Sequence, residues 1–290
     1  MKKVLLATSA LVASAGIASA DITLTGSADF GIKDSGANGT DAYIHNEIDI
    51  NVVASATTDA GYTIGASFDL DDQTGATAGS VSDQETYISG PFGKITVGDV
   101  SAAADGHGLA DVGFDSLGVD DDVEDIRALG SADVVYSTTF NDMSVTISYA
   151  MGTTAAGAAS DGDYGILLGF SNSGLGVTLG YDVDDSATAN DSRTSLGLTY
   201  AVGGINFAGF FADNSTNSAT GFSASYALDA DTTVTAVYGS TDVAADKSDF
   251  GIGFKTNLGG GVSLAGGVGR VDATAGTSTT VTDLGFNVAF

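Results

Sequence analysis

Apolar and polar residues alternate with a period of two along nearly the whole chain. From Ile22 the even positions read Ile22, Leu24, Gly26, Ala28, Phe30 and Ile32, and the odd ones Thr23, Thr25, Ser27, Asp29, Gly31 and Lys33. Successive side chains of an extended chain point to opposite faces, so this pattern predicts a strand with one apolar and one polar face. The same period runs through Ile44, Ile48, Ile50 and Val52, through Ile64, Ala66, Phe68 and Leu70, through Met143, Val145, Ile147 and Tyr149, and on to Leu284, Phe286, Val288 and Phe290. About sixteen such segments follow one another.

The connections between them alternate in length. Tight turns rich in Gly, Asn and Asp are centred near Thr58, Pro91, Asn141, Ser173, Gly203, Ala230 and Gly259, and between them lie longer polar loops, among them 34–41, 71–82, 152–162, 182–191 and 272–280. Short turns at one rim and long loops at the other predict an all-β fold, a 16-stranded antiparallel transmembrane β-barrel over residues 21–290 with both termini at the short-turn rim. A soluble sandwich or solenoid also alternates, but it would have to place about sixteen strands in one domain. Two features favour the membrane. Aromatic residues recur near strand ends on the apolar face (Tyr43, Tyr62, Phe68, Tyr136, Phe140, Phe170, Tyr181, Tyr200, Tyr226, Tyr238, Phe250) as in an interfacial girdle, and acids avoid that face.

Composition then excludes several functions. Among 290 residues there is no Cys, only two His, and 9 basic against 37 acidic side chains, a formal charge of −28. Disulfides, thiolate zinc sites and thiol nucleophiles are absent, and a pI near 4.1 argues against nucleic acid as a partner. With 43% hydrophobic residues the chain is not a disordered acidic one. Residues 1–20 (MKKVLLATSALVASAGIASA) carry Lys2 and Lys3, an apolar stretch from Val4 to Val12 and the small-residue site Ala18-Ser19-Ala20, the layout of a cleaved signal peptide. An exported, cysteine-free chain suits a bacterial envelope.

A sixteen-stranded barrel is too wide for side chains to fill. Its candidate obstruction is a loop over about 99–130, because the turns at Pro91 and Asn141 stand 50 residues apart, far more than the other turns. That loop carries Asp99, Asp105, Asp111, Asp115, Asp120, Asp121, Asp122, Glu124 and Asp125 against the single Arg127. Folded inward it would line a constriction with negative charge; folded outward its acids would simply be solvated. The polar strand positions expected on the pore wall include Ser27, Lys33, His45, Glu47, Asp49, Asp69, Glu85, Lys94 and Arg193.

The stretch Glu85 to Asp99, ETYISGPFGKITVGD, resembles the segment of the Gram-negative general porins in which a Gly, then Phe-Gly, then a short strand ending in Gly leads into an inward loop. With the signal peptide, the strand count and terminal Phe290, the resemblance spans the chain and is nearest to the acidic porins of α-proteobacterial type. It implies a homotrimer in outer-membrane lipid and lipopolysaccharide, each barrel a water-filled pore for small hydrophilic solutes and ions. It also implies that the loop after Asp99 is the eyelet and that Phe290 is the assembly signal. Family members set loop acids against a cluster of wall arginines; here Glu85 stands where many carry an arginine, and the plausible wall cations are Lys33, Lys94 and Arg193, with His45 if protonated. A cation-selective pore is therefore expected. The alternative is a closed barrel serving as a structural or adhesin protein.

Other constellations carry less. Asp120, Asp122 and Glu124, or Asp182, Asp184 and Asp185, are candidate calcium ligands, as is Asp161 with Asp163; none has EF-hand spacing, since Ala187 and Arg193 stand where Gly and Glu are required after Asp182. No resident cofactor is otherwise expected. Gly259-Gly260-Gly261 falls at a turn and Gly266-Gly267 in a strand, where missing side chains let neighbours approach. A barrel hydrolase would need a nucleophile and base together; His45 and His107, the latter in a flexible Asp-Gly-His-Gly stretch, have no G-x-S-x-G partner, so no enzymatic activity is expected.

Overall fold

The computed structural model describes residues 21–36, 42–73, 80–126, 130–151, 162–186, 189–243, 246–274 and 277–290; the expected signal peptide at 1–20, Arg127 and Asp161 lie outside them. The strands are β1 (Asp21–Asp34), β2 (Tyr43–Thr57), β3 (Thr63–Gln73), β4 (Ser80–Gly90), β5 (Gly93–Ser101), β6 (Ser131–Phe140), β7 (Met143–Tyr149) and β8 (Tyr164–Asn172). They continue as β9 (Leu175–Ser186), β10 (Ala189–Val202), β11 (Ile205–Asn214), β12 (Ser218–Ala227), β13 (Thr232–Thr241), β14 (Lys247–Gly259), β15 (Val262–Thr274) and β16 (Thr277–Ala289). Each pairs antiparallel with its neighbour in sequence, and β1 also pairs β16, so the sheet closes into a barrel of sixteen strands. Closure leaves no row of unpaired backbone groups facing lipid. The seam is completed by the chain end, where the Gly26 and Phe290 backbones exchange two hydrogen bonds of 2.9 Å.

The apolar positions of the sequence period face outward. Leu24 is 66% exposed, Ile32 58% and Phe140 76%, values that would be costly in water and suit a lipid belt. Of the expected aromatic girdle, nine residues are exposed, and Phe68 and Tyr136 are half-buried. The short turns fall where the sequence places them. Between β10 and β11, for example, Gly203 and Gly204 both have positive φ (58° and 80°), as a two-residue hairpin turn of this hand requires.

Three of the expected loops are instead shorter. Strands run on to Gln73 and from Ser80, to Ser186 and from Ala189, and to Thr274 and from Thr277, so strand takes up half of 71–82 and most of 182–191 and 272–280. Beyond the apolar belt both faces of a strand meet water, and the hydropathy period fades while the backbone ladder continues, as in Ala189↔Ser186, Asn190↔Asp185 and Asp191↔Asp184.

Candidate functional site

The segment Glu85–Asp99 is a hairpin whose second strand ends irregularly. Pro91 and Phe92 form the turn, Gly93 follows at φ +110°, and Gly98 at φ +138° sits opposite Glu85, where a Cβ would press into the Gln84 carbonyl oxygen. Just past it the β5–β6 register slips between Val97 and Val100. The chain leaves the sheet here and returns only at Ser131.

Between these points the loop lies against the inner faces of other strands. A single 3-10 turn (Ala103–Gly106) opens it, and the Ala103 N–H donates to Ser148 Oγ of β7 at 2.8 Å. His107 Nδ1 bonds Thr178 Oγ1 on β9 at 2.6 Å, its Nε2 bonds Ser195 Oγ on β10 at 2.8 Å, and its ring meets Phe210 of β11 edge-on. The stretch read as flexible is therefore a fixed anchor, because both ring nitrogens are used. The Ala110 N–H donates to Ser223 Oγ, the Phe114 N–H donates to Asp283 Oδ2 at 2.9 Å, and Asn287 Nδ2 donates to the Phe114 carbonyl at 2.7 Å. Lys33 of β1 reaches Asp115 Oδ2 at 2.5 Å, and Lys247 of β14 holds Asp122 at 2.9 Å. The loop thus follows the wall from β7 round to β1.

Apolar packing accompanies these bonds. Val112, Leu117 and Val119 cluster with Val237, while Val123 and Ile126, in and just after the one-turn helix α1 (Asp121–Glu124), pack on Phe210, Ala212 and Ala219. Inward glycines let the loop come this close. A Cβ on Gly239 would run into Val123, and one on Gly267 would come within 2.9 Å of Val112 and 3.0 Å of Leu117. The buried hydrophobic core of this protein is largely this loop-to-wall contact rather than a centre between sheets.

The expected loop acids divide into two groups. Asp99, near the end of β5, is exposed, as are Asp111, Asp121 and Asp125, and Asp105 is half-buried. The rest hold the loop. Asp115 and Asp122 take the lysines, Glu124 Oε1 accepts from the Leu109 N–H at 2.5 Å, and Asp120 is 4% exposed with Oδ1 lacking a hydrogen-bond partner. Burial, reinforced by Asp111 and Glu124, pushes the Asp120 carboxyl up to about 8, and burial with Asp125 raises Asp121. At neutral pH Asp120 is chiefly a protonated packing group.

The wall residues are placed as follows. His45 is buried beside Glu47 and Asp115; Asp49 accepts from Ser27 Oγ at 3.4 Å; Asp69 accepts from Asn51. Glu85 is paired opposite Gly98, Lys94 lies over the Tyr87 ring at 4.5 Å, and Arg193 stands across the ladder from Asp182, which is fully buried. Like charges sit directly opposite one another at Asp29↔Glu47 and Asp49↔Asp71. Sequence reasoning misses Lys247, Asp283 and Asn287. Their strand parity puts them inside, but nothing along the chain says which inward residue meets the loop.

Neither expected calcium set assembles. Among the described residues, the group that brings three ligand atoms within 4.8 Å of one another is His45, Glu47 and Asp115. Asp122 and Glu124 are turned to Lys247 and to the Leu109 N–H, and Asp182, Asp184 and Asp185 lie on continuous strand, where Asp185 faces away from its two partners.

Comparison with known proteins agrees with this architecture. The family description Gram-negative porin matches residues 7–276. A porin of Rhodobacter capsulatus is 27% identical and one of Fuscovulum blasticum 24% identical, each aligned over 93% of this chain and 100% of the relative. Among solved structures, a porin refined at 1.8 Å superposes with a TM-score of 0.75 at 22% identity, and a mutant of Rh. blastica porin with 0.77 at 21%, each over 93% of this chain and 100% of the other; these show the shared fold. The chain belongs to the Gram-negative porin family, whose members are outer-membrane channels.

Proposed function

We propose that the protein is an open, cation-selective diffusion channel for small hydrophilic solutes and ions, with the loop of about 99–130 setting its narrowest cross-section. The observation that carries this reading is the charge on both sides of the gap. On β1 to β4 the inner wall presents Asp29, Glu47, Asp49, Asp69, Asp71 and Glu85, including two like-charge pairs set directly across the ladder. Such pairs destabilise a sheet, so their presence argues for function. Across from them the loop leaves Asp111 and Asp121 open to solvent, while Lys33 and Lys247 are engaged by Asp115 and Asp122. A lumen lined by carboxylates in a low-dielectric frame concentrates cations and excludes anions.

The same reading takes residues 1–20 as a cleaved export signal, exposed terminal Phe290 as the assembly signal, and a homotrimer in lipid and lipopolysaccharide as the working form. Reversal potential across a planar bilayer under a tenfold KCl gradient tests selectivity. A cation-sided potential is expected; a chloride-sided one overturns it. Correctly folded protein that fails to conduct would overturn the open pore and leave the closed structural barrel.

A further inference from the structure

We propose that His45, Glu47 and Asp115 form a binding site for a divalent transition metal of the zinc class, which ties the inner loop to β2. His45 Nε2 stands 3.3 Å from Glu47 Oε2 and 3.2 Å from Asp115 Oδ2, and all three atoms lie within 4.8 Å of one another. Ligands held about 2.0–2.1 Å from one tetrahedral zinc ion stand about 3.3–3.4 Å apart, so these spacings are those of groups around a common ion. A charge-assisted N–H···O bond to either carboxylate would be about 2.7–2.9 Å long, shorter than both distances. Instead, Nε2 is buried with no hydrogen-bond partner, and His45 as a whole is only 8% exposed. Its ring is fixed by the edge of Phe114 at 5.6 Å, which aims Nε2 at the two carboxylates.

The donor set selects the ion. One imidazole nitrogen with two carboxylates suits zinc, cobalt or manganese better than calcium or magnesium, which prefer all-oxygen cages. Two carboxylates also neutralise a divalent charge. Lys33 modulates the affinity, because its ammonium already lies 2.5 Å from Asp115 Oδ2 and must yield that oxygen. Its further hydrogen bond to the Asp115 carbonyl, at 2.7 Å, gives it a place to remain. A bound ion would join the loop to the acidic wall and set positive charge inside the gap, lowering cation flow; this consequence for conduction rests on the channel reading above, whereas the site does not.

The test titrates Co²⁺ alone into the purified full barrel in detergent and records its visible d–d absorption, then displaces it with Zn²⁺. Saturable bands at one equivalent per chain are expected, lost in His45→Gln and weakened about tenfold or more in Glu47→Gln, while Lys33→Met tightens binding. No bands, or equal bands in His45→Gln with the barrel folded by circular dichroism, overturns the site. Single-channel recording with Zn²⁺ separates the two readings. His45-dependent bands with a fall in conductance support both. His45-dependent bands in a barrel that conducts no ions would uphold the site and sink the channel.

Discussion

Two arcs of the inner wall share one sequence pattern and are built of opposite materials. On β12 to β15 the inward positions include Gly221, Gly239, Gly251, Gly253, Gly267 and Gly269, and Leu109, Val112, Val119 and Val123 of the loop lie almost on the backbone. On β1 to β4 they include Asp29, Glu47, Asp49, Asp69, Asp71 and Glu85, among them carboxylates opposed in pairs. Both arcs alternate against an apolar outer face. The first is a shelf that becomes dry when the loop docks; the second stays wet and carries charge. Polarity in a barrel interior therefore has two meanings, and the size of the inward side chain separates them: absent side chains admit a loop, and charged ones keep water.

The largest effect should follow from filling the shelf. In Gly239→Leu the new side chain conflicts first with Val123 and the Val119 carbonyl, both in the loop, while the barrel itself is spared. Overpacking of this kind costs about 1–3 kcal/mol. The thermal midpoint in detergent should fall, and protease should cut between 102 and 130; an unchanged variant would break the distinction between shelf and wall.

A second effect concerns the buried carboxyl at the loop's centre. Asp120 is pushed up to about 8 in the folded protein, mainly by burial. Between the ordinary carboxylate range and that value the folded state binds more protons than the unfolded one, so loop docking weakens as pH rises toward about 8. The protection of the loop amides, measured relative to their intrinsic base-catalysed exchange, should fall over that window, and Asp120→Asn should flatten the dependence. Wild-type protection independent of pH would place Asp120 with the wet acids instead.

The smallest effect on stability, and of opposite sign, belongs to the wall. Replacing Asp49 and Asp71 together by Asn relieves a directly opposed like-charge pair and should stabilise the barrel by about 0.2–1 kcal/mol. The same variant should move the reversal potential toward zero. Loss of stability would mean that these carboxylates serve packing, as the shelf does.

Much of this was legible along the chain. The period of two, the tight turns and the 50-residue spacing between Pro91 and Asn141 place the strands and single out the loop. The inward parity of His45, Glu47 and Asp49 follows from the same count. The hairpins over 182–191 and 272–280 were not legible, because strand pairing outlasts the hydropathy signal once both faces meet water.

By itself, then, the sequence determined the barrel: backbone groups in lipid must all be paired, and alternation with short turns leaves sixteen closed antiparallel strands as the solution. Only the tertiary structure decided which acids are charges and which are fasteners. Asp115, Asp120, Asp122 and Glu124 read like Asp111 and Asp121, yet the first four are held by Lys33, by burial, by Lys247 and by the Leu109 N–H. The reason is physical. A loop without periodicity takes its conformation from the wall it meets, and its partners at Lys33, Lys247 and Asp283 lie 82, 125 and 168 to 169 residues away along the chain.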